Sequence, residues 1–122
     1  MPRAMVIDDS RAVRMILSRT LKKIGYEVCE DANGKDALAL LAAGQSVSLI
    51  LVDWNMPELD GLEFVKCLRS DTQYSSVKVV MVTTETEVDR IVTALDAGAN
   101  EYVMKPFTSD VICDKLRLVG AL

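Results

Sequence analysis

Apolar residues in this chain fall into short continuous runs that alternate with longer stretches of helical spacing. Ala4 to Ile7 is apolar and stops at Asp8, after which Val13, Ile16, Leu17, Thr20, Leu21 and Ile24 recur every three or four positions before Gly25. A strand and then an amphipathic helix are predicted. Tyr26 to Ala32 reads as a weaker second strand, and Asn33 can cap a helix whose apolar face is Ala37, Leu38 and Leu41 before Gly44. Leu49 to Val52 is apolar on both faces and ends at Asp53, the pattern of a central strand covered on both sides. The stretch Trp54 to Gly61, with Pro57 and Asp60-Gly61, reads as a loop. A third helix is predicted over Leu62 to Leu68, and a fourth strand over Val77 to Val82 that terminates at Thr83. Val88, Ile91, Val92 and Leu95 mark a fourth helix closed by Gly98. Tyr102 to Met104 is a short fifth strand ending at Lys105-Pro106, and Thr108 or Ser109 opens a last helix carrying Ile112, Leu116 and Val119. Five strands alternating with five helices call for a doubly wound five-stranded parallel sheet with right-handed crossovers, an α/β architecture of the flavodoxin-like kind, in one domain over residues 1–122.

Composition narrows the function classes. At 122 residues the chain suits one core, and half of its residues are hydrophobic. The longest apolar runs are far shorter than the ~20 residues of a membrane span, and Asp8-Asp9 interrupts the first of them. No membrane insertion or signal peptide is expected, and the expected location is the cytoplasm. Cys29, Cys67 and Cys113 are widely spaced and odd in number, so they read as fillers rather than a disulfide or zinc framework. The chain has no histidine at all, which removes imidazole bases and imidazole metal ligands. A net charge of −4 disfavours direct nucleic-acid binding.

Chemistry therefore rests on carboxylates, lysine and hydroxyls, and in an open α/β sheet it belongs beyond the carboxyl ends of the strands. Four of the five apolar runs stop at such residues: Asp8-Asp9, Asp53, Thr83 and Lys105. If the three carboxylates converge they cannot all stay ionised unaided, and hard oxygen donors without His or Cys favour Mg²⁺ or Mn²⁺. A metal, an ammonium and a hydroxyl around one carboxylate form a clamp for a phosphoryl group, with that carboxylate as nucleophile. Taken singly, each residue has a plainer reading: Asp8-Asp9 as a helix N-cap, Thr83 as a strand end, Lys105 as a solvated lysine, Tyr102 as a core aromatic. Asp53 is harder to explain away, because a carboxylate continuing Leu-Ile-Leu-Val is costly unless it reaches solvent or a cation.

The ordered set Asp8-Asp9, Asp53-Trp54-Asn55-Met56-Pro57, Asp60-Gly61, Met81-Val82-Thr83, Ala97-Gly98-Ala99, Tyr102-Val103 and Lys105-Pro106-Phe107-Thr108 resembles the receiver domains of bacterial response regulators over the whole chain. Within that family the likeness is strongest to the stand-alone chemotaxis regulators. The resemblance implies a two-component phosphoprotein. Asp53 would accept a phosphoryl group from a sensor histidine kinase or phosphotransfer protein, and Asp8, Asp9 and Asp53 with the backbone carbonyl of Asn55 would hold Mg²⁺. Lys105 would contact the phosphoryl oxygens, with a cis bond to Pro106. Thr83 would hydrogen-bond the phosphoryl group and release Tyr102 from exposed to buried. A protein target would then be engaged through the fourth helix, fifth strand and fifth helix. Asn55 and Glu85 occupy positions that tune phosphoryl lifetime in the family, and Thr84 departs from its usual Ala or Gly. No catalysis is expected beyond the protein's own phosphorylation and dephosphorylation, and a monomer is expected.

Two alternatives stay within the same chemistry, a single-domain phosphorelay carrier and a receiver segment cut from a longer DNA-binding regulator. The end of the chain soon after the fifth helix favours a stand-alone protein over the second. A haloacid-dehalogenase-like phosphatase would use similar groups, but there the nucleophile precedes the acid pair. Charge placement adds an expectation of its own. The first helix carries Arg11, Arg14, Arg19, Lys22 and Lys23 with no acid, while Glu85, Glu87, Asp89, Asp96 and Glu101 face only Arg90 in residues 85–101. Kinase docking and output would then use faces of opposite sign.

Overall fold

The computed structural model describes residues 2–84 and 88–122. Its elements follow the order β1 (Arg3–Ile7), α1 (Arg11–Lys23), β2 (Glu27–Asp31), α2 (Gly34–Ala42), β3 (Leu49–Val52), α3 (Gly61–Arg69), β4 (Lys78–Thr83), α4 (Val88–Ala97), β5 (Glu101–Met104) and α5 (Ser109–Leu118). All strands run parallel, in the spatial order β2-β1-β3-β4-β5. The alternation of side chains along the strands divides the core in two. Ala4, Val6, Leu49, Leu51, Val80 and Val82 face α1 and α5 through Leu17, Leu21, Ile112 and Leu116. Met5, Ile7, Ile50, Val52, Val79 and Met81 face α2, α3 and α4 through Ala37, Leu41, Phe64, Leu68 and Ala94. Residues 49–52 are buried throughout, as expected for the strand at the centre of the sheet.

Helix starts follow the chemistry of the residue before them. Ser10, Asn33 and Thr108 each accept a hydrogen bond from the backbone N–H three positions on. Asp60, expected only as part of a turn, is instead the N-cap of α3: it forms a capping box with Glu63, and Gly61 is the first helical residue. A single 3-10 turn, Thr72–Tyr74, leads into β4, and the hydrophobic pattern does not predict it.

The fourth helix forms where its pattern predicts, but its apolar stripe does not enter the core. Among its residues only Ala94 is buried, while Val88, Val92 and Leu95 are exposed. The helix packs beside α3 and enters the core through Ala94, a small residue, while the larger Val88, Val92 and Leu95 face outward.

Arg69, unremarkable in the sequence, closes the end of the molecule below β4. Its guanidinium donates to the carbonyls of Gly98, Tyr74 and Val77 and to Asn100 Oδ1. Burial lowers its pKa, yet these acceptors match the guanidinium fork. Tyr26, which the sequence placed in β2, lies just before it and donates its hydroxyl to the carbonyl of Ala121, holding the chain end against the core. The three cysteines are free thiols, Cys67 exposed and the others half-buried.

Candidate functional site

The reversal of strand order falls between β1 and β3, where the chain winds first toward β2 and then toward β5. A crevice opens at the carboxyl ends of these two strands. The residue following each strand there is an aspartate, and the sheet ladder extends to hold both. Asp8 N–H donates to the carbonyl of Asp31 at 3.1 Å, and Asp53 N–H to that of Ile7 at 2.9 Å. On the other side of β3, Lys105 N–H donates to the carbonyl of Thr83 at 2.9 Å. Asp8, Asp53 and Lys105 are thus positioned by backbone bonds that register with the neighbouring strand.

The carboxylates do converge. Asp8, Asp9 and Asp53 each offer one oxygen, and these lie within 4.8 Å of one another. Asp8 and Asp53 are almost wholly buried, at 1% and 5% exposure, while Asp9 stands exposed at the rim. Lys105 Nζ enters the cluster, 2.9 Å from Asp8 Oδ2 and 3.4 Å from Asp53 Oδ2. Three carboxylates and one ammonium leave two negative charges. Asp53 shows the strain of this: burial, and then the charge of Asp8, raise its pKa against the opposing pull of Lys105 and the backbone N–H of Asn55. Burial alone would lower the pKa of Lys105, but its hydrogen bond to Asp8 and the two nearby carboxylates raise it on balance. All the donors are hard oxygens, and the charge deficit is that of one divalent cation.

The helix-capping reading of the acid pair is displaced by this geometry. Ser10 caps α1, while Asp8 Oδ1 accepts from Ser10 N–H at 2.9 Å and leaves Oδ2 to Lys105. Arg14, expected on a free basic face, is half-buried and committed elsewhere. Its Nη1 donates to the backbone carbonyl of Asp8 at 2.6 Å and its Nε lies 3.4 Å from Glu30 Oε1. It supports the acid cluster from behind, a role invisible to helical periodicity.

Gly61 is a second residue whose importance the sequence understated. A Cβ there would lie 2.2 Å from the carbonyl oxygen of Asp53 and 2.8 Å from Trp54 Cα, and Gly61 N–H donates to the carbonyl of Trp54 at 2.8 Å. The first turn of α3 therefore sits directly on the backbone that carries Asp53, which only glycine permits. The Asp60-Gly61 pair was the available signal.

The remaining expected residues are distributed as follows. Thr83 is buried at the carboxyl end of β4. The Lys105-Pro106 bond is cis. Asn55 is exposed beside Asp53, and Thr84 is exposed on the wall of a hollow of ≈ 390 Å³ shared with Val13, Ile16, Lys105, Pro106 and Phe107. Glu85 lies outside the described residues. Tyr102 is not at the site: it pairs with Met81 in the sheet, is half-buried, and has Lys115 Nζ 4.9 Å from its ring centre. Lys115 also engages Glu101 at 3.4 Å, so one of the five acids expected on the output face is already paired. Trp54, buried next to Asp53, lies under the guanidinium of Arg90 from α4 at 5.8 Å.

Comparison with known proteins gives the family. Residues 4–117 match the family model of the response regulator receiver domain. The chemotaxis protein CheY1 of Helicobacter pylori is 42% identical over 116 residues, covering 94% of each chain. The CheY homolog of Campylobacter jejuni is 42% identical over 113 residues, covering 92% of this chain and 87% of that one. Among solved structures, the chemotaxis response regulator CheY4 of Vibrio cholerae superposes with a TM-score of 0.89 at 36% identity, covering 98% of both chains.

Proposed function

The chain belongs to the response regulator receiver domain family, as a CheY-like member of two-component signalling, and on that premise we propose that Asp53 is its phosphoacceptor and that Asp8, Asp9, Asp53 and the backbone carbonyl of Asn55 hold Mg²⁺. We take residues 1–122 as one receiver domain working in the cytoplasm, where it meets a sensor histidine kinase or phosphotransfer protein. The observation that carries the reading is the convergence of three carboxylates with Lys105 Nζ, which leaves a deficit of two positive charges beside a buried carboxylate.

A bound Mg²⁺ supplies the charge that balances the carboxylates and attracts phosphoryl oxygens. The chain's own residues do the rest. An oxygen of Asp53 attacks the donor phosphorus as the bond from phosphorus to the donor imidazole nitrogen breaks, and the imidazole leaves with the bonding electron pair. Lys105 turns from its ion pair with Asp53 to the phosphoryl oxygens, and the Thr83 hydroxyl donates to another of them. Water later attacks the phosphorus, the bond from phosphorus to the Asp53 oxygen breaks, and inorganic phosphate leaves as the carboxylate is restored, with Asn55, Thr84 and Glu85 setting how readily donor and water approach. The protein thus acts on its own side chain and is not an enzyme toward other substrates.

Readout uses the face of α4, β5 and α5. Its support is an exposed apolar set, Val92, Leu95, Met104 and Val111, flanking the half-buried Tyr102. The decisive test of the site is intact mass after incubation with acetyl phosphate and Mg²⁺. One phosphoryl group should be gained, and none in Asp53→Asn or when the metal is chelated. Full phosphorylation of the Asp53→Asn variant would reject Asp53 as nucleophile.

A further inference from the structure

A second concave site lies away from the acid cluster, where the outer face of α1 meets the edge strand β2. Arg11, Met15, Ser18, Arg19 and Lys22 follow one another at helical spacing along it, with Glu30 of β2 on the opposite wall. The cavity measures ≈ 400 Å³, within the size range of small-molecule sites and far more than one oxyanion fills.

Two observations point to an anion. Among the described residues, Arg11, Arg19 and Lys22 have no acidic partner, and all three are exposed. The one acid in the wall, Glu30, is already engaged by Arg14, so it does not cancel them. The second observation concerns Ser18. It is 4% exposed, and its hydroxyl is the buried side-chain polar atom among the described residues that has no hydrogen-bond partner. A helical serine or threonine ordinarily donates to the carbonyl four residues back, as Thr20 of the same helix does to Ile16. The hydroxyl lies sealed beneath the surface of a cationic cavity that Ser18 helps to line, and it becomes a donor for a ligand oxygen once the side chains around it move aside.

The distribution of groups says what the ligand carries. Arg19, Lys22 and Ser18 sit together in the last two turns of the stripe. Arg11 lies at the other end, about 12 Å from Arg19 along the helix axis, and Met15 forms the apolar stretch between. A guanidinium fork, an ammonium and a hydroxyl suit the tetrahedral oxygens of a phosphoryl group, while Met15 suits an organic body. We propose that the groove between α1 and β2 binds a small organic phosphate, its phosphoryl group held by Arg19, Lys22 and Ser18.

The test is a titration of ¹⁵N-labelled protein without Mg²⁺, using phenyl phosphate, inorganic phosphate and phenol as separate probes. Phenyl phosphate should give saturable shifts confined to α1 and the end of β2, with affinity at least about fivefold tighter than inorganic phosphate, and phenol should give none. Arg19→Ala with Lys22→Ala, both at exposed positions, should weaken binding about tenfold or more, and Ser18→Ala about threefold. Asp53→Asn should leave it unchanged, which separates this site from the phosphoacceptor. Shifts centred on Asp53 and Lys105, equal affinity for inorganic phosphate, or equal binding by the double variant would each overturn the proposal.

Discussion

Replacing Asp53 by Asn should reverse its effect on stability according to whether Mg²⁺ is present. The nearest oxygens of Asp8 and Asp53 are at most 4.8 Å apart, a repulsion of at least about 3.5 kcal/mol at an effective dielectric constant of about 20. Lys105 Nζ, 3.4 Å from Asp53, returns about 5 kcal/mol on the same scale. The two nearly offset, so the cost of burying an ionised carboxylate decides the sign, in keeping with the raised pKa of Asp53. Without metal, Asp53→Asn should therefore stabilise the protein by about 1 kcal/mol, seen as a rise of roughly 3–6 °C in Tm. With Mg²⁺ at about 100 times its Kd the wild type gains about 2.7 kcal/mol, the variant much less, and the order inverts. The pH dependence has a definite sign. A carboxylate whose folded pKa is raised contributes stability below its unfolded value and loses it as pH rises through the folded one. In metal-free buffer the advantage of the variant should accordingly shrink as pH falls from 7 toward the ordinary aspartate value of 3.8. Urea unfolding in EDTA and in excess Mg²⁺ measures all three. A variant less stable than wild type in EDTA, or one with an equal Mg²⁺ response, would refute the electrostatic account of the cluster.

Other positions test the supporting structure. Gly61→Ala should lower phosphorylation by acetyl phosphate at least about tenfold, because a Cβ placed 2.2 Å from the Asp53 carbonyl oxygen forces the phosphoacceptor backbone to move; a wild-type rate would show that the loop accommodates it freely. Arg69→Met leaves the carbonyls of Gly98, Tyr74 and Val77 without their donor and should cost about 2–4 kcal/mol in urea unfolding with the acid cluster intact; a loss under about 0.5 kcal/mol would mean solvent replaces the guanidinium. Thr84→Ala removes bulk from the hollow beside Lys105 and should speed autophosphorylation by small donors, whereas an unchanged or slower rate would mean that Thr84 gates nothing.

The reach of the sequence is set by the range of the interactions involved. Short apolar runs, helical spacing, strand-end polar residues and capping side chains are local, so the α/β order and the set Asp8, Asp9, Asp53, Thr83 and Lys105 could be read directly; a parallel sheet puts the carboxyl ends of all strands on one edge, while the adjacency of β1 and β3 is set by the strand order of the folded sheet. Chain order, with Asp8-Asp9 before Asp53, likewise spoke against a haloacid-dehalogenase-like phosphatase. Which face of α4 is buried could not be read, because Val88, Val92 and Leu95 form a sound amphipathic stripe and only the packing of Ala94 into the core turns that stripe outward. Nor could the fate of the charges. Arg14 and Arg69 look like solvated helix residues in the sequence, yet the fold places backbone carbonyls from Asp8 and from Tyr74, Val77 and Gly98 within their reach. Those acceptors exist as a group only after distant segments have packed, and so tertiary structure alone decides which cations support the acid site and the β4 end of the molecule and which, like Arg11, Arg19 and Lys22, remain open to a ligand.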